Sequence, residues 1–206
     1  MQQTQEERPC FKYDPKKHRY TLDGVILPSV TQIINPLYDF SAVKPDLLQR
    51  AGVYGTAVHE MIKIWLEGEL DEEALDPGLK GPLEAFSSWW GIEDRGAVTV
   101  ELPTYHPKLK YSGTGDLVFD DNLLVDVKTR NPSKVTDILQ LEAYAHLYYD
   151  RPEKVDKAIL YLAQDGSYQF TLMADKQAWS FFRYLLDDWD HKKEFEAKIK
   201  GWREKK

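Results

Sequence analysis

The sequence predicts an α/β fold in which a central mixed β-sheet is flanked by helices. Helical apolar spacing dominates before residue 91, strand-like runs fill residues 97–128, and helix and strands alternate after residue 133. The chain has 206 residues, of which 42% are apolar, so it can bury a substantial core. The sequence contains no clear linker or internal repeat. We therefore expect a single domain over residues 1–206, with disorder confined to 1–9 and 200–206.

The first predicted element is an N-terminal β-hairpin over residues 11–27. Aromatic or aliphatic residues alternate with polar ones on both sides of Asp23 and Gly24, and Asp-Gly is typical of tight hairpin turns. Ser29 then follows as the N-cap of a short helix, which Pro36 shortens or bends.

Three further helices are predicted before the strand region. Helical spacing over residues 45–50 and 54–67 indicates two helices separated by Gly52, with Gly68 ending the second one. An acidic connector with proline and glycine follows. An amphipathic helix is then predicted over residues 82–90.

The middle of the chain is typical of strands, and its last two strands are expected to form an antiparallel hairpin. The predicted strands cover residues 97–105, 111–119 and 123–128. The remaining predicted elements are a helix, two strands and a long closing helix, over residues 133–149, 155–163, 168–173 and 175–199.

Composition limits the classes of function. The net charge of −7 argues against a polyanionic partner, although local basic groups around a bound divalent cation can reverse the local field. Cys10 is the single cysteine, which excludes an internal disulfide and a four-cysteine iron–sulfur cluster. The polar N-terminus and the lack of a long apolar run indicate a cytoplasmic protein without a membrane partner.

Charged residues interrupt two apolar strands at Asp116, Asp126 and Lys128. A carboxylate inside a buried strand is costly unless it is paired or bound to a metal. Since side chains alternate along a strand, Asp126 and Lys128 share one face. A loop over residues 120–122 would place Asp116 opposite Asp126, whereas a two-residue loop would place it opposite Val127 and turn it away. A shared site therefore predicts the three-residue loop.

These residues also have ordinary interpretations. Asp126 and Lys128 can be a structural ion pair, and Asp116 a turn residue after two glycines. His59 on its predicted helix can be a core or surface histidine. Gln140 and Tyr144 are spaced i, i+4 on the following helix, where a packing stripe runs nearby.

The order of the motifs favours a functional interpretation. The chain contains, in this order, Gly55-x-x-x-His59, Gly113-x-x-Asp116, Asp126-x-Lys128 and Gln140-x-x-x-Tyr144. With these motifs, residues 52–149 resemble the RecB-type exonuclease branch of the PD-(D/E)XK nuclease superfamily. Residues 24–31 are also similar to the opening segment of phage-type and mitochondrial-type relatives.

The resemblance implies a restriction-endonuclease-like core and a magnesium site, in which Mn²⁺ can substitute for Mg²⁺. It implies catalytic roles for Asp116, Asp126 and Lys128, and metal binding by His59, Asp116, Asp126 and the carbonyl of Val127. Gln140 and Tyr144 would contact the nucleic-acid strand or brace the site, and Glu101 would brace a ligand or bind a second metal. The basic residues expected to follow phosphates are Arg50, Lys108, Lys110, Arg130 and Lys134.

By this resemblance the chain is expected to be a metal-dependent exonuclease acting on DNA ends in recombination, repair or replication. Single-stranded or end-containing DNA is the expected partner, together with a recombination or replication protein. Three alternatives are a structure-selective endonuclease, a DNA-binding or assembly module without turnover, and a phosphoesterase for small nucleotides. The last is disfavoured, because the sequence has no glycine-rich phosphate loop and no histidine-rich di-metal motif.

Overall fold

The computed structural model describes residues 9–92, 96–130 and 134–203. Its strands are β1 (Phe11–Asp14), β2 (Arg19–Leu22), β3 (Val25–Leu27), β4 (Val98–Tyr105), β5 (Ser112–Phe119), β6 (Leu123–Lys128), β7 (Asp156–Leu162) and β8 (Tyr168–Leu172). Its helices are α1 (Val30–Ile34), α2 (Pro45–Leu66), α3 (Pro77–Trp90), α4 (Lys134–Tyr148) and α5 (Ala178–Arg203). Of the residues predicted to be disordered, 1–8 and 204–206 lie outside the described residues, whereas 200–203 belong to α5.

The central sheet confirms the predicted α/β architecture. It has five strands in the order β4-β5-β6-β7-β8, all antiparallel to their neighbours except the parallel pair β6 and β7, which α4 connects. Helices α2 and α3 pack on one face of the sheet, and α1, α4 and α5 pack on the other. The sheet is therefore mixed and covered by helices on both faces.

The N-terminal region forms a small sheet of three antiparallel strands, β1-β2-β3. The predicted turn at Asp23 and Gly24 is present, with φ of 51° and 82°, values that suit a tight hairpin turn. A second turn, at residues 15–18, divides the predicted first strand into β1 and β2. The N–H of Ser112 donates to the carbonyl of Pro28 (2.9 Å), which ties this small sheet to the start of β5.

Helix α2 is continuous where the sequence predicted two helices. Gly52 lies inside it with ordinary helical geometry, so the predicted break at this position was wrong. A single glycine costs a helix only about 1 kcal/mol, which packing elsewhere in the helix can offset. That packing is confined to the second half, where Val58, Met61 and Ile62 are buried, while residues 45–53 are exposed.

Helix α3 begins earlier than the predicted start at Pro82. Asp76 is its N-cap and accepts the N–H of Gly78 (2.7 Å), and Pro77 occupies the first helical position, which proline favours. Pro82 then lies inside the helix and cannot donate to the carbonyl of Gly78. The hydroxyl of Tyr54 donates to that carbonyl (3.3 Å), so the acceptor released by Pro82 has a partner.

The register of β5 and β6 is the one that a shared site requires. Leu117 pairs with Val125 and Val118 with Leu124, so residues 120–122 form the connecting loop and Asp116 falls opposite Asp126. Asn122 has a φ of 67°, a left-handed conformation that asparagine tolerates well in turns. Within residues 9–92, 96–130 and 134–203, no helix is both long and apolar enough to cross a membrane.

Candidate active site

The site lies where β5 and β6 separate. Their ladder ends at the pair Leu117 and Val125. Beyond it, the N–H of Val127 donates to Oδ2 of Asp116 (2.7 Å) instead of to a backbone carbonyl of β5. The Asp116 side chain therefore occupies the opening between the two strands, where groups from both faces of the sheet can reach it.

His59 reaches this opening from α2. Its Nδ1 lies 3.3 Å from Oδ1 of Asp116, and its Nε2 lies 3.1 Å from the carbonyl oxygen of Val127. The nearby residues Val58 and Ile62 are buried against the sheet and fix the distance between this turn of α2 and the sheet. His59, Asp116 and Val127 thus form a closed set of three contacts.

Asp126 and Lys128 lie on the opposite face of β6, on the side of α4. They share this face with Leu124, which packs in the core formed by α1, α4 and α5. The Lys128 ammonium is 2.5 Å from Oδ2 of Asp126, a carboxylate that is only 1% exposed. The Oδ1 atom of Asp126 is buried and has no hydrogen-bond partner. Lys128 thus contacts Oδ2, while Oδ1 remains available to a ligand.

The pair of His59 and Asp116 and the pair of Lys128 and Asp126 influence each other electrostatically. Burial disfavours a charged His59, but the Asp116 carboxylate outweighs burial and raises the pKa of the imidazole to about 9. Burial, together with the negative charge of Asp116, raises the pKa of Asp126 to about 6 although Lys128 opposes the shift. Burial likewise opposes a charged Lys128, yet the Asp126 carboxylate raises its pKa. At neutral pH the site therefore holds two cations and two carboxylates.

Glu101 lies beside His59 and Asp116, in a small cavity that Val100 and Ile62 also line. Its φ of 47° is unusual for a glutamate and marks a local distortion of β4. Burial raises the pKa of its carboxyl group, and the negative charge of Asp116 adds to this. The structure thus places Glu101 next to the predicted ligands, where its bracing or metal-binding role stays a prediction.

Tyr148 of α4 interrupts the ladder on the other side of Asp116. Its hydroxyl accepts the N–H of Gly115 (2.6 Å) and donates to the carbonyl of Leu102. Leu102 and Gly115 are register partners in β4 and β5, so the hydroxyl stands between two backbone groups that would otherwise face each other. Our sequence reasoning missed Tyr148. Its spacing of four residues from Tyr144 was the signal that could have identified it.

Two glycines of β5 make this approach of α4 possible. A Cβ atom on Gly113 would lie 2.6 Å from Cε1 of Tyr144, and one on Gly115 would lie 2.8 Å from Cε2 of Tyr148. Real Cβ atoms essentially never come so close to another heavy atom, so both positions need glycine. The alternation of glycines before Asp116 thus reflects two tyrosine rings that lie flat against the strand.

The predicted pair Gln140 and Tyr144 is buried on the same side of the sheet. Nε2 of Gln140 donates to the Tyr144 hydroxyl (3.2 Å), and the residues are 6% and 4% exposed. Burial raises the pKa of Tyr144, and the negative charges of Asp126 and Asp116 add to this. This arrangement favours bracing of the site over direct contact with a nucleic acid, and both stay predictions.

The predicted basic residues are spread around this region. Arg50 lies on the exposed first half of α2, and Lys108 and Lys110 are exposed in the turn before β5. Arg130 forms an ion pair with the fully buried Asp137 of α4. Its charge is therefore neutralised within the fold. The side chain of Lys134 lies outside the described residues.

The residues present fit a divalent cation by their chemistry. Two carboxylates and the carbonyl of Val127 are the hard oxygen donors that Mg²⁺ prefers, and Oδ1 of Asp126 is a buried acceptor without a partner. In the described parts of the chain, however, no three histidine, cysteine, aspartate or glutamate side chains are grouped closely enough to hold a metal. The donors are instead drawn into two internal ion pairs.

The fold and this site together define an α/β protein with a charged centre at the parting of two strands in a mixed sheet. Among solved structures, the chain is similar to the crystal structure of an alkaline exonuclease (LHK-Exo) from Laribacter hongkongensis. The TM-score is 0.51 at 14% sequence identity, and the match covers 86% of this chain and 91% of that chain. At this identity the likeness is one of fold. No family model and no curated protein matches the sequence.

Proposed function

We propose that this chain is a Mg²⁺-dependent DNA nuclease of the RecB-type, which removes nucleotides from DNA ends. The observation that carries the proposal is that two charged pairs, His59 with Asp116 and Lys128 with Asp126, lie where β5 and β6 separate and are within electrostatic range of each other. The fold is that of a protein described as an alkaline exonuclease, and this likeness supports the choice of reaction. A role in recombination, repair or replication is part of the same proposal.

A purely structural explanation accounts poorly for this centre. Buried ion pairs are weak sources of stability, because removing two charges from water costs about as much as their attraction returns. Here Asp126 is 1% exposed and its Oδ1 has no partner, so the fold leaves part of that cost uncompensated. A ligand that engages this oxygen would satisfy it. A cation is the ligand that a carboxylate oxygen favours.

The residues that would hold the metal are Asp116, Asp126, the carbonyl of Val127 and His59, whose imidazole must release its proton before it can bind a cation. A bound divalent cation supplies Lewis-acid polarisation of a phosphate and lowers the pKa of a bound water. The Lys128 ammonium uses one N–H on Asp126, and its remaining N–H donors would orient the attacking water and offset the negative charge developing on the phosphate. Gln140 and Tyr144 hold the α4 side of the site in place.

The test is cleavage of DNA labelled at the 5′ or the 3′ end, single-stranded and double-stranded, with Mg²⁺, with Mn²⁺ and with EDTA. We expect metal-dependent release of short products from linear DNA and none from covalently closed circles. Cleavage of closed circles would identify an endonuclease. Binding without cleavage under every metal condition would identify a DNA-binding module and overturn the proposal.

A further inference from the structure

The hairpin formed by β1 and β2 carries a net positive charge, although the chain as a whole is acidic. We call residues 11–22 the basic hairpin. It contains four basic residues and, within the same stretch, one acidic residue, while the whole chain has a net charge of −7. The four are Lys12, Lys16, Lys17 and Arg19. Positive charge is thus concentrated in a short segment of an acidic protein.

The two faces of the basic hairpin differ. Phe11 pairs with Leu22 and Tyr13 with Tyr20, so these side chains share one face. Tyr20 and Leu22 are buried in a small core that Phe11, Tyr13 and Tyr105 of β4 extend. The other face and the turn carry the basic residues, all of which are exposed. The apolar face therefore fixes the hairpin to the protein and leaves its basic side in solvent.

The basic hairpin lies along β4 and β5 and runs toward the candidate active site. The rings of Phe11 and Tyr105 have centroids 4.9 Å apart. One step further along the hairpin, the Tyr20 hydroxyl is 2.8 Å from Oγ1 of Thr114, which lies two residues before Asp116 in β5. The next step in the same direction reaches the turn at residues 15–18. The tip with Lys16 and Lys17 therefore lies toward the Asp116 end of β5.

The electrostatics of Tyr13 agree with this direction of the hairpin. Burial raises the pKa of Tyr13, and the negative charge of Glu101 contributes to this rise. Glu101 lines the cavity next to His59 and Asp116. Tyr13 is the next-to-last residue of β1, one residue before the strand ends at Asp14 and the turn begins. The hairpin and the site are therefore within electrostatic range of each other.

We propose that the basic hairpin binds the sugar–phosphate backbone of DNA and directs the strand to the opening between β5 and β6. This inference rests on the proposed function, because it assigns a path to the same substrate. Lysine and arginine side chains that neutralise phosphates release condensed counterions, which provides most of the sequence-independent affinity for DNA. The acidic chain as a whole repels a polyanion. A local cluster of basic residues beside the site would attract DNA toward the two carboxylates.

The experiment compares two triple variants that remove the same charge. Lys12→Ala/Lys16→Ala/Lys17→Ala changes the basic hairpin, and Lys154→Ala/Lys176→Ala/Lys198→Ala changes exposed lysines elsewhere. Binding of fluorescein-labelled oligothymidylate and of a labelled blunt duplex is measured by fluorescence anisotropy in EDTA, over a series of salt concentrations. EDTA prevents turnover, so binding is read separately from cleavage. Thermal unfolding of each variant verifies that the fold is retained.

We expect the hairpin variant to bind oligothymidylate about 10- to 100-fold more weakly at low salt, and the slope of log affinity against log salt to decrease by about two. The control variant should keep the wild-type slope. An equal loss in both variants, or no loss in the hairpin variant with either form of DNA, would overturn the inference. The comparison of oligothymidylate with the duplex shows which form of DNA the hairpin binds. If the hairpin variant loses affinity for the duplex alone, double-stranded DNA is the ligand.

The two proposals fail in different ways. If the wild-type protein never cleaves DNA but the hairpin variant loses affinity, the proposed nuclease function is wrong and the hairpin inference stands. If the wild-type protein cleaves DNA but the hairpin variant binds normally, the nuclease function stands and the hairpin inference is wrong.

Discussion

The carboxylate of Asp116 replaces a backbone carbonyl as the acceptor for the N–H of Val127 (2.7 Å). The carbonyl of Val127 is in turn in contact with Nε2 of His59, whose Nδ1 faces Asp116. Side chains therefore engage both backbone groups of Val127. This set of contacts fixes the directions of Asp116 and His59, and positions with fixed directions are what a catalytic centre requires.

Replacing Asp126 with asparagine should abolish DNA cleavage. Asparagine keeps the shape of the side chain but removes the charge that a cation and Lys128 both need, so we expect the rate to fall on the order of 1,000-fold. The measurement is initial-rate cleavage of end-labelled DNA with Mg²⁺. Asp120→Asn, an exposed change in the turn between β5 and β6, is the matched control and should behave as wild type. Normal cleavage by Asp126→Asn would mean that the reacting site is elsewhere.

Replacing Tyr148 with phenylalanine should destabilise the protein and reduce activity. The change removes a hydroxyl that serves the N–H of Gly115 and the carbonyl of Leu102, and we expect a loss of about 1–3 kcal/mol in the free energy of unfolding. Urea denaturation measures it. Tyr184→Phe is the control, because Tyr184 is 65% exposed. If the N–H of Gly115 and the carbonyl of Leu102 bond to each other when the hydroxyl is removed, stability will not change. Our account of the Tyr148 hydroxyl between β4 and β5 is then wrong.

Adding a methyl group at Gly113 or Gly115 should be costly. The new Cβ would lie 2.6 Å from the ring of Tyr144 or 2.8 Å from that of Tyr148, and overpacking of this kind costs about 1–3 kcal/mol. Thermal unfolding of Gly113→Ala and Gly115→Ala tests this. Gly52→Ala is the opposite case: no atom lies within 4 Å of its Cβ, and it should stabilise α2 by about 0.5–1 kcal/mol. Unfolding temperatures that match wild type at both strand positions would contradict the close packing of α4.

The elements of the sheet could be predicted from the sequence because they depend on local alternation. The register of β5 and β6 follows from the length of their loop, and requiring Asp116 and Asp126 to share a face was enough to choose it. The limits of α2 and α3 could not be predicted in this way. In a helix interior, Gly52 is unfavourable by about 1 kcal/mol and Pro82 by about 3 kcal/mol relative to alanine. Tertiary contacts, such as the hydrogen bond from the Tyr54 hydroxyl to the carbonyl of Gly78, override these local preferences.

The members of the candidate site and the pair formed by Asp126 and Lys128 were predictable, but the pairing of His59 with Asp116 was not. The motifs identified His59, Asp116, Asp126 and Lys128 because polar groups in apolar segments are conspicuous. Their division into two ion pairs depends on the separation of the strands around Asp116, which Tyr148 and the Asp116 side chain itself maintain. Neither contact produces a periodic pattern that can be recognised in the sequence.

Replacing Arg130 with alanine should reduce stability through Asp137. Asp137 is 0% exposed and accepts hydrogen bonds from Arg130 and from the Tyr161 hydroxyl (2.9 Å), so loss of the guanidinium leaves a buried charge. Because Arg130 is 37% exposed, we expect the low end of the usual cost, about 3 kcal/mol. Urea denaturation measures the loss, with the exposed change Arg151→Ala as control. Unchanged stability together with weaker DNA binding would instead assign Arg130 to the nucleic acid.

Stability should decrease in acid because of His146. Its ring stacks on Trp179 at 3.5 Å, and burial, with nearby positive charges, lowers its pKa to about 4 from the ordinary value of 6.5. The unfolded chain takes up this proton first. The contribution is therefore fully present above about pH 6.5 and is lost as the pH falls toward 4. After allowance for solvent screening, we expect about 1 kcal/mol.

The variant His146→Phe keeps an aromatic ring against Trp179 and removes the proton site. Its unfolding temperature should depend less on pH between 4 and 6.5 than that of the wild-type protein. His191→Phe, on the exposed part of α5, should retain the wild-type pH dependence. Parallel pH profiles for His146→Phe and wild type would show that another group is responsible.

The strands of the central sheet lie side by side in the order in which they occur along the chain. Each strand therefore pairs with the strand that precedes it in the chain, and little loop-closure entropy is lost at every step except that from β6 to β7, which α4 connects. The contact between His59 and Val127 is different, because it joins positions 68 residues apart. We expect the sheet to form early and the histidine to dock late, so that a newly made chain completes this contact only after its scaffold is in place.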